Sequence, residues 1–147
     1  MTHEEIVRFF KLQQEHYRNH DPEGLASGHA EDCVVISPIF RTVRGRKDIL
    51  QSYRSLFQTF PDWNYIGEEV LADGDRVAQP FLVTATHSGE FMGLMGSGRK
   101  VDIHGVIVFE MRDGLIAYER RYYDFTGLLI QLGILRGRPA RPEISVG

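Results

Sequence analysis

Apolar positions recur at three- and four-residue spacing through the first sixty residues, and from Trp63 onward the pattern changes to alternation. Ile6, Phe9, Phe10 and Tyr17 fall on one face of a helix over residues 4–19, opened by Thr2 and Glu5 at the spacing of a capping box. Asp21 followed by Pro22 opens a second helix: the aspartate accepts free N–H groups while proline supplies the fixed φ of a first helical position. Gly24 and Gly28 keep that helix short. The β-branched run "CVVISPIF" reads as a strand, with Pro38 confining it to an edge or a bulge. Ile49, Tyr53, Leu56, Phe57 and Phe60 then mark one face of a third helix, which Pro61 ends.

Beyond Trp63, turn signals at "ADGDR" (72–76), a glycine-rich loop (88–98) and "RDGL" (112–115) separate three or four long antiparallel strands. A short helical run over 125–132 follows. Helices first and a meander afterwards give an α+β fold, a curved antiparallel or mixed sheet with three N-terminal helices on one face. Such a sheet makes a cone with one mouth, the place for a small apolar ligand. The domain spans 1–135, and "RGRPARPEISVG" (136–147) reads as a loose tail.

A composition of 42% hydrophobic and 25% charged residues suits one soluble domain with a real core. The net charge of −3 offers no basic surface for phosphate backbones or anionic lipid, so neither nucleic acid nor membrane is an expected partner. No apolar run reaches the ~20 residues of a membrane span, and the cytoplasm is the default location. The single cysteine, Cys33, reads as a buried hydrophobe. His16 and His20 stand i, i+4, but with no HExxH and no cysteine pair they read as a solvated helix end, and no metal is expected.

Chemistry collects on the strands. Phe81, Val83 and His87 share one parity; Tyr118, Arg120, Tyr122 and Asp124 share another. In "RRYYDFTGLLIQLG" a strand meets Asp124 and passes straight into the last helix, so Asp124 reads as that helix's N-cap, as a reactive pocket group, or as both. With a three-residue "RDG" loop, His104 lies opposite Tyr122 and Asp102 opposite Asp124; with only Asp113 and Gly114 in the loop, pairing shifts by one and His104 faces away. Met92 and Met95 read equally as an adaptable lid or a surface loop.

The segments "FPDW" (60–63), "DGDRVA" (73–78), "THSGEFMGLMGSGRKV" (86–101) and "DGLIAYERRYYDFTGLLIQLG" (113–133) resemble the SnoaL-like polyketide cyclases, or ester cyclases, of the nuclear-transport-factor-2-like superfamily. The resemblance implies a cone-shaped α+β barrel, a homodimer, and aldol-type ring closure of a carbonyl-bearing apolar substrate without metal or organic cofactor. It implies Asp124 as acid/base and His104 as its assistant, with His87, Tyr122 and Trp63 about the substrate; parity, register and the loop add Asp102, Arg120, Met92 and Phe81 as candidates to line the same pocket. A loop reading "LMGSG" departs from the family's proline-bearing pattern. Two other enzymes of the same fold compete. A limonene-epoxide-hydrolase-like protein needs an Asp-Arg-Asp set that "RVAQPFLVT" does not supply, and a ketosteroid-isomerase-like protein would use Asp102 and Tyr122. A non-catalytic ligand-binding or dimerisation module is the alternative from another class.

Overall fold

A computed structural model describes residues 1–136, so most of the 136–147 tail lies outside the described residues. Helix α1 (His3–Arg18) opens with the expected box: the Thr2 hydroxyl accepts from the Glu5 N–H, and the Glu5 carboxylate accepts from the Thr2 N–H at 2.8 Å. Asp21 caps α2 (Pro22–Ser27) by accepting from the Gly24 N–H. Helix α3 (Arg46–Thr59) starts after Gly45, whose φ of 86° is left-handed and whose N–H donates to the Cys33 carbonyl at 2.8 Å.

Strand β1 (His29–Ser37) begins four residues before the expected start, and Pro38 lies in the turn beyond it, where Ser37 Oγ accepts from the Phe40 N–H. That turn leads to β2 (Arg41–Arg44), which the alternation did not reveal. The other strands are β3 (Asn64–Gly67), β4 (Leu71–Asp73), β5 (Arg76–Thr86), β6 (Lys100–Arg112) and β7 (Leu115–Tyr123), followed by α4 (Phe125–Gln131). They form one sheet in the order β2-β1-β7-β6-β5-β3, with β4 also on β5. β1 runs parallel to β7 and every other pairing is antiparallel, giving a mixed sheet.

The sheet has an inner face packed against the N-terminal helices and an outer face. Val77, Gln79, Phe81, Val83 and Ala85 of β5 and Val101, Ile103, Ile107 and Phe109 of β6 are buried inside, where they meet Ile6, Phe10, Ile49, Tyr53 and Leu56. Each large apolar side chain so buried contributes about 2 kcal/mol from area removed from water. Cys33 is fully buried, and burial pushes its thiol up to about 11, which keeps it protonated.

The last hairpin departs from the three-residue loop. Arg112 pairs with Leu115, so Asp113 and Gly114 alone form the turn, both at positive φ (53° and 77°). The ladder then slips between Glu110 and Met111: Glu110 faces Tyr118, leaving Ala117 as the extra residue of a bulge. Ile116 is therefore inside, and beyond the bulge Glu119, Arg121 and Tyr123 point inward while Tyr118, Arg120 and Tyr122 point outward.

Candidate functional site

The bulge at Ala117 brings two charged side chains into the core. Glu119 is 1% exposed and accepts at both oxygens: Oε1 lies 3.0 Å from His29 Nε2, and Oε2 receives the Arg121 Nε–H at 2.5 Å. Arg121 Nη2 donates to the Tyr53 hydroxyl at 3.1 Å, and Tyr53 stands 3.3 Å from the Tyr17 hydroxyl. Burial works against an ionised Glu119, but Arg121 and His29 overcome it and hold the carboxyl down at about 2. The same pairing holds Arg121 charged against the cost of its own burial. Burial raises Tyr17, Tyr53 and Tyr65, the latter two well above the ordinary tyrosine value, so these hydroxyls stay protonated and serve as donors.

Arg121 also lines a pocket on the inner face of the sheet. Tyr17, Ser37, Ile39, Phe40, Leu56, Trp63, Tyr65, Phe81, Val83, Ile103, Ile107 and Tyr123 complete its wall, around an open hollow of about 450 Å³ of which about 30 Å³ has room for a water. The wall is mostly apolar, with a few polar groups turned inward, the composition of a small-molecule site. Gly105 makes room for it: a Cβ there would meet the Phe81 ring at 2.8 Å and the Tyr122 carbonyl at 2.3 Å. Burial pushes the Tyr123 hydroxyl up to about 12. Trp63 is 9% exposed, and its Nε1–H is buried with no hydrogen-bond partner among the described residues. Arg121 spends one N–H on Glu119 and one on Tyr53, leaving the rest of its five unpartnered among those residues. An unmatched buried donor costs about 1–3 kcal/mol, a cost that a ligand acceptor removes. No Asp or Glu is among the residues lining this pocket.

The sequence-derived candidates divide between the two faces. Trp63 and Phe81 line the pocket. Asp124, His104, Asp102, Tyr122 and Arg120 do share a face, because the bulge offsets the shift made by the two-residue turn, and it is the outer one: Asp124, His104, Asp102 and Tyr122 are exposed, and the Arg120 guanidinium packs over the Tyr118 ring. None of these five residues lines the pocket. Asp124 caps α4 by accepting from the Gly127 N–H at 2.8 Å, and Asp102 pairs with His104 at 3.0 Å. His87 is buried beneath the glycine loop, its Nδ1 accepting from the Ser97 N–H while its ring packs on Phe60 and Phe91. Met92 lines a neighbouring groove with Phe40, Leu56 and Phe91, the first two of which also line the pocket. Alternation missed Glu119, Arg121 and Tyr123, because buried Ile116 points to even residues as the inward set until the bulge reverses them. Tyr17 and Tyr53 were visible as members of apolar helix faces, though not as a polar network.

Three solved structures resemble the chain closely in fold. AclR of Streptomyces galilaeus, described as a candidate hydroxylase, is 28% identical, with 90% of this chain and 87% of that one covered and a TM-score of 0.76. IdmH of Streptomyces antibioticus, a candidate polyketide cyclase, is also 28% identical, with 86% and 96% covered and a TM-score of 0.71. TsrD of Streptomyces laurentii is 21% identical over 92% and 99%, with a TM-score of 0.81, a likeness of fold. No curated protein matches the chain. The family model of the SnoaL-like polyketide cyclases matches residues 7–132. With its mixed sheet, covering helices and donor-lined pocket, this chain belongs to the SnoaL-like polyketide cyclase family.

Proposed function

We propose that the chain is a small-molecule enzyme whose pocket binds an apolar, carbonyl-bearing ligand and stabilises the enolate formed next to that carbonyl. The observation that carries this reading is a mostly apolar wall that includes both Trp63, whose Nε1–H is buried without a partner, and Arg121, which keeps N–H groups beyond those spent on Glu119 and Tyr53. Donors fixed in advance at the oxygen where charge develops are the largest single contribution to many such reactions. Tyr17 adds to them. When Tyr53 accepts from Arg121 and donates to Tyr17, the Tyr17 hydrogen is left for the pocket. Family membership and the description of IdmH as a candidate cyclase support aldol-type closure of a polycarbonyl chain.

The acid/base in this reading is not Asp124, whose carboxylate is exposed and engaged as a cap. The wall supplies no carboxylate, so the proton leaves to an oxygen of the ligand itself or to solvent at the mouth. That same feature favours the second reading, a binding module without turnover. Deuterium exchange at the central carbon of an aromatic 1,3-diketone separates them. An enzyme accelerates exchange and loses the acceleration in Arg121→Met, whereas a binding module leaves the exchange rate unchanged. Mass spectrometry of material extracted from the purified protein identifies the natural ligand class.

A homodimer through the outer face is part of the proposal. Val106, Tyr122 and Ile66 are exposed there, and Val34, Ile36, Leu82 and Val108 are only half-buried. Sedimentation measurements on the wild type and Tyr122→Glu test this: a mass of one chain for the wild type overturns it.

A further inference from the structure

The buried network beside the pocket carries a fixed charge that follows from counting protons. His29 is fully buried, with both ring nitrogens against acceptors: Nδ1 is 3.0 Å from the Leu25 carbonyl and Nε2 is 3.0 Å from Glu119 Oε1. A carbonyl oxygen only accepts, so Nδ1 carries a hydrogen. The contact with Glu119 needs a second hydrogen between nitrogen and oxygen, since two facing lone pairs at that distance repel. Whether that hydrogen rests on the imidazole or the carboxyl, His29 and Glu119 together sum to zero. Arg121 then adds a full positive charge, and the trio totals +1.

No anion among the described residues packed on the trio balances that charge. The facing groups are Tyr17 of α1, Tyr53 of α3, Tyr65 of β3 and Cys33 of β1, all held protonated by burial. Arg46 of α3, whose Nε donates to the His29 carbonyl at 2.9 Å, is paired with Glu31 at 4.0 Å, so the two add no net charge. Only Arg121 of the trio meets the pocket. An uncompensated charge taken out of water is costly, and the open side of Arg121 is where a counter-charge fits.

We infer that the pocket selects ligands by charge, taking the ionised form of an aromatic acid or enol, with its negative oxygen on Arg121 and its apolar body against Trp63 and Phe81. This rests on the reading of the pocket as a ligand site. His29 and Glu119 act through Arg121 as positioning residues, and the proton shared between them sets the preference.

The test uses the full chain and two near-isosteric pairs: naphthalene-2-carboxylate against naphthalene-2-carboxamide, and 4-hydroxycoumarin, an ionised enol at neutral pH, against coumarin. Binding is read by calorimetry and by the fluorescence of Trp63, the only tryptophan. Each anion is expected to bind at least about tenfold more tightly than its neutral partner, as for charge-assisted hydrogen bonds out of water. Preference in one pair alone tells a carboxylate site from an enolate site. His29→Gln removes the extra proton and is expected to cut the preference about tenfold while the neutral ligands bind as before. Calorimetry in buffers of different ionisation enthalpy supplies a second measurement on the wild type, independent of how that variant folds. A charge already in place predicts that no proton is taken up with the anion. Equal binding within both pairs, or uptake of one proton per anion, overturns the charge inference and leaves the pocket reading standing. Binding of none of the four with no change at Trp63 overturns both.

Discussion

Two histidine–carboxylate pairs, each 3.0 Å apart, sit on opposite faces of one sheet: His29 with Glu119 inside, His104 with Asp102 outside. In sequence the outer pair is the more conspicuous, two residues apart on one strand beside Tyr122 and Asp124. Its side chains are 75% and 62% exposed, so water and salt screen the attraction and the pair is worth little. The inner side chains are 0% and 2% exposed and are tied to Arg121 and a helix carbonyl. Equal geometry therefore gives unequal chemistry, and the surroundings decide which pair shapes a site.

Breaking the inner pair has the largest expected effect. Glu119→Ala leaves Arg121 and His29 facing a void and is expected to cost about 3–5 kcal/mol in urea unfolding. Acid gives a related test. Glu119 is held near 2 when folded against an ordinary 4.5, so its contribution is complete above about pH 4.5 and is lost as pH falls toward 2. The loss is about 3 kcal/mol, at 1.4 kcal/mol per pH unit of displacement, and Glu119→Gln is expected to lack that part of the acid transition. Trp63→Phe keeps the apolar body and removes the unpartnered donor; carbonyl ligands are expected to bind about tenfold more weakly, with little change in stability. Asp124→Ala removes only a cap and is expected to cost about 1 kcal/mol in thermal unfolding with ligand binding unchanged. A loss of binding in that variant would restore Asp124 to the site. Asp102→Asn, on the outer pair, is expected to shift stability by no more than about 0.5 kcal/mol.

The helices were readable from the chain because their signals are local: Thr2 with Glu5, Asp21 with Pro22, and the apolar face from Ile49 to Phe60. The hairpin turn announced itself through Asp113 and Gly114. What decides the site is a bulge, and no residue type encodes one. Ala117 has no turn chemistry, yet it sends Arg121 into the pocket and Tyr122 out to the surface. The two-residue turn by itself turns His104 away from Tyr122 and Asp124; the bulge restores their shared face and sets it on the outer side of the sheet, and neither was legible in the sequence. Long-range packing of Tyr17 and Tyr53 against Glu119 and Arg121 settles that choice, and it joins segments separated by most of the chain.

The glutamine of the "LLIQLG" ending has a consequence for solubility. β7 ends its pairing at Gly105, which leaves the first residues of β6 without a neighbouring strand on that side. Gln131 of α4 fills the gap with its side-chain amide: Oε1 accepts from the Asp102 N–H at 2.7 Å, and Nε2 donates to the Asp102 carbonyl at 3.0 Å. One side chain imitates the backbone of a missing strand and closes an edge to which a foreign strand could otherwise add. The backbone of Asp102 is thus covered on that side by a single amide.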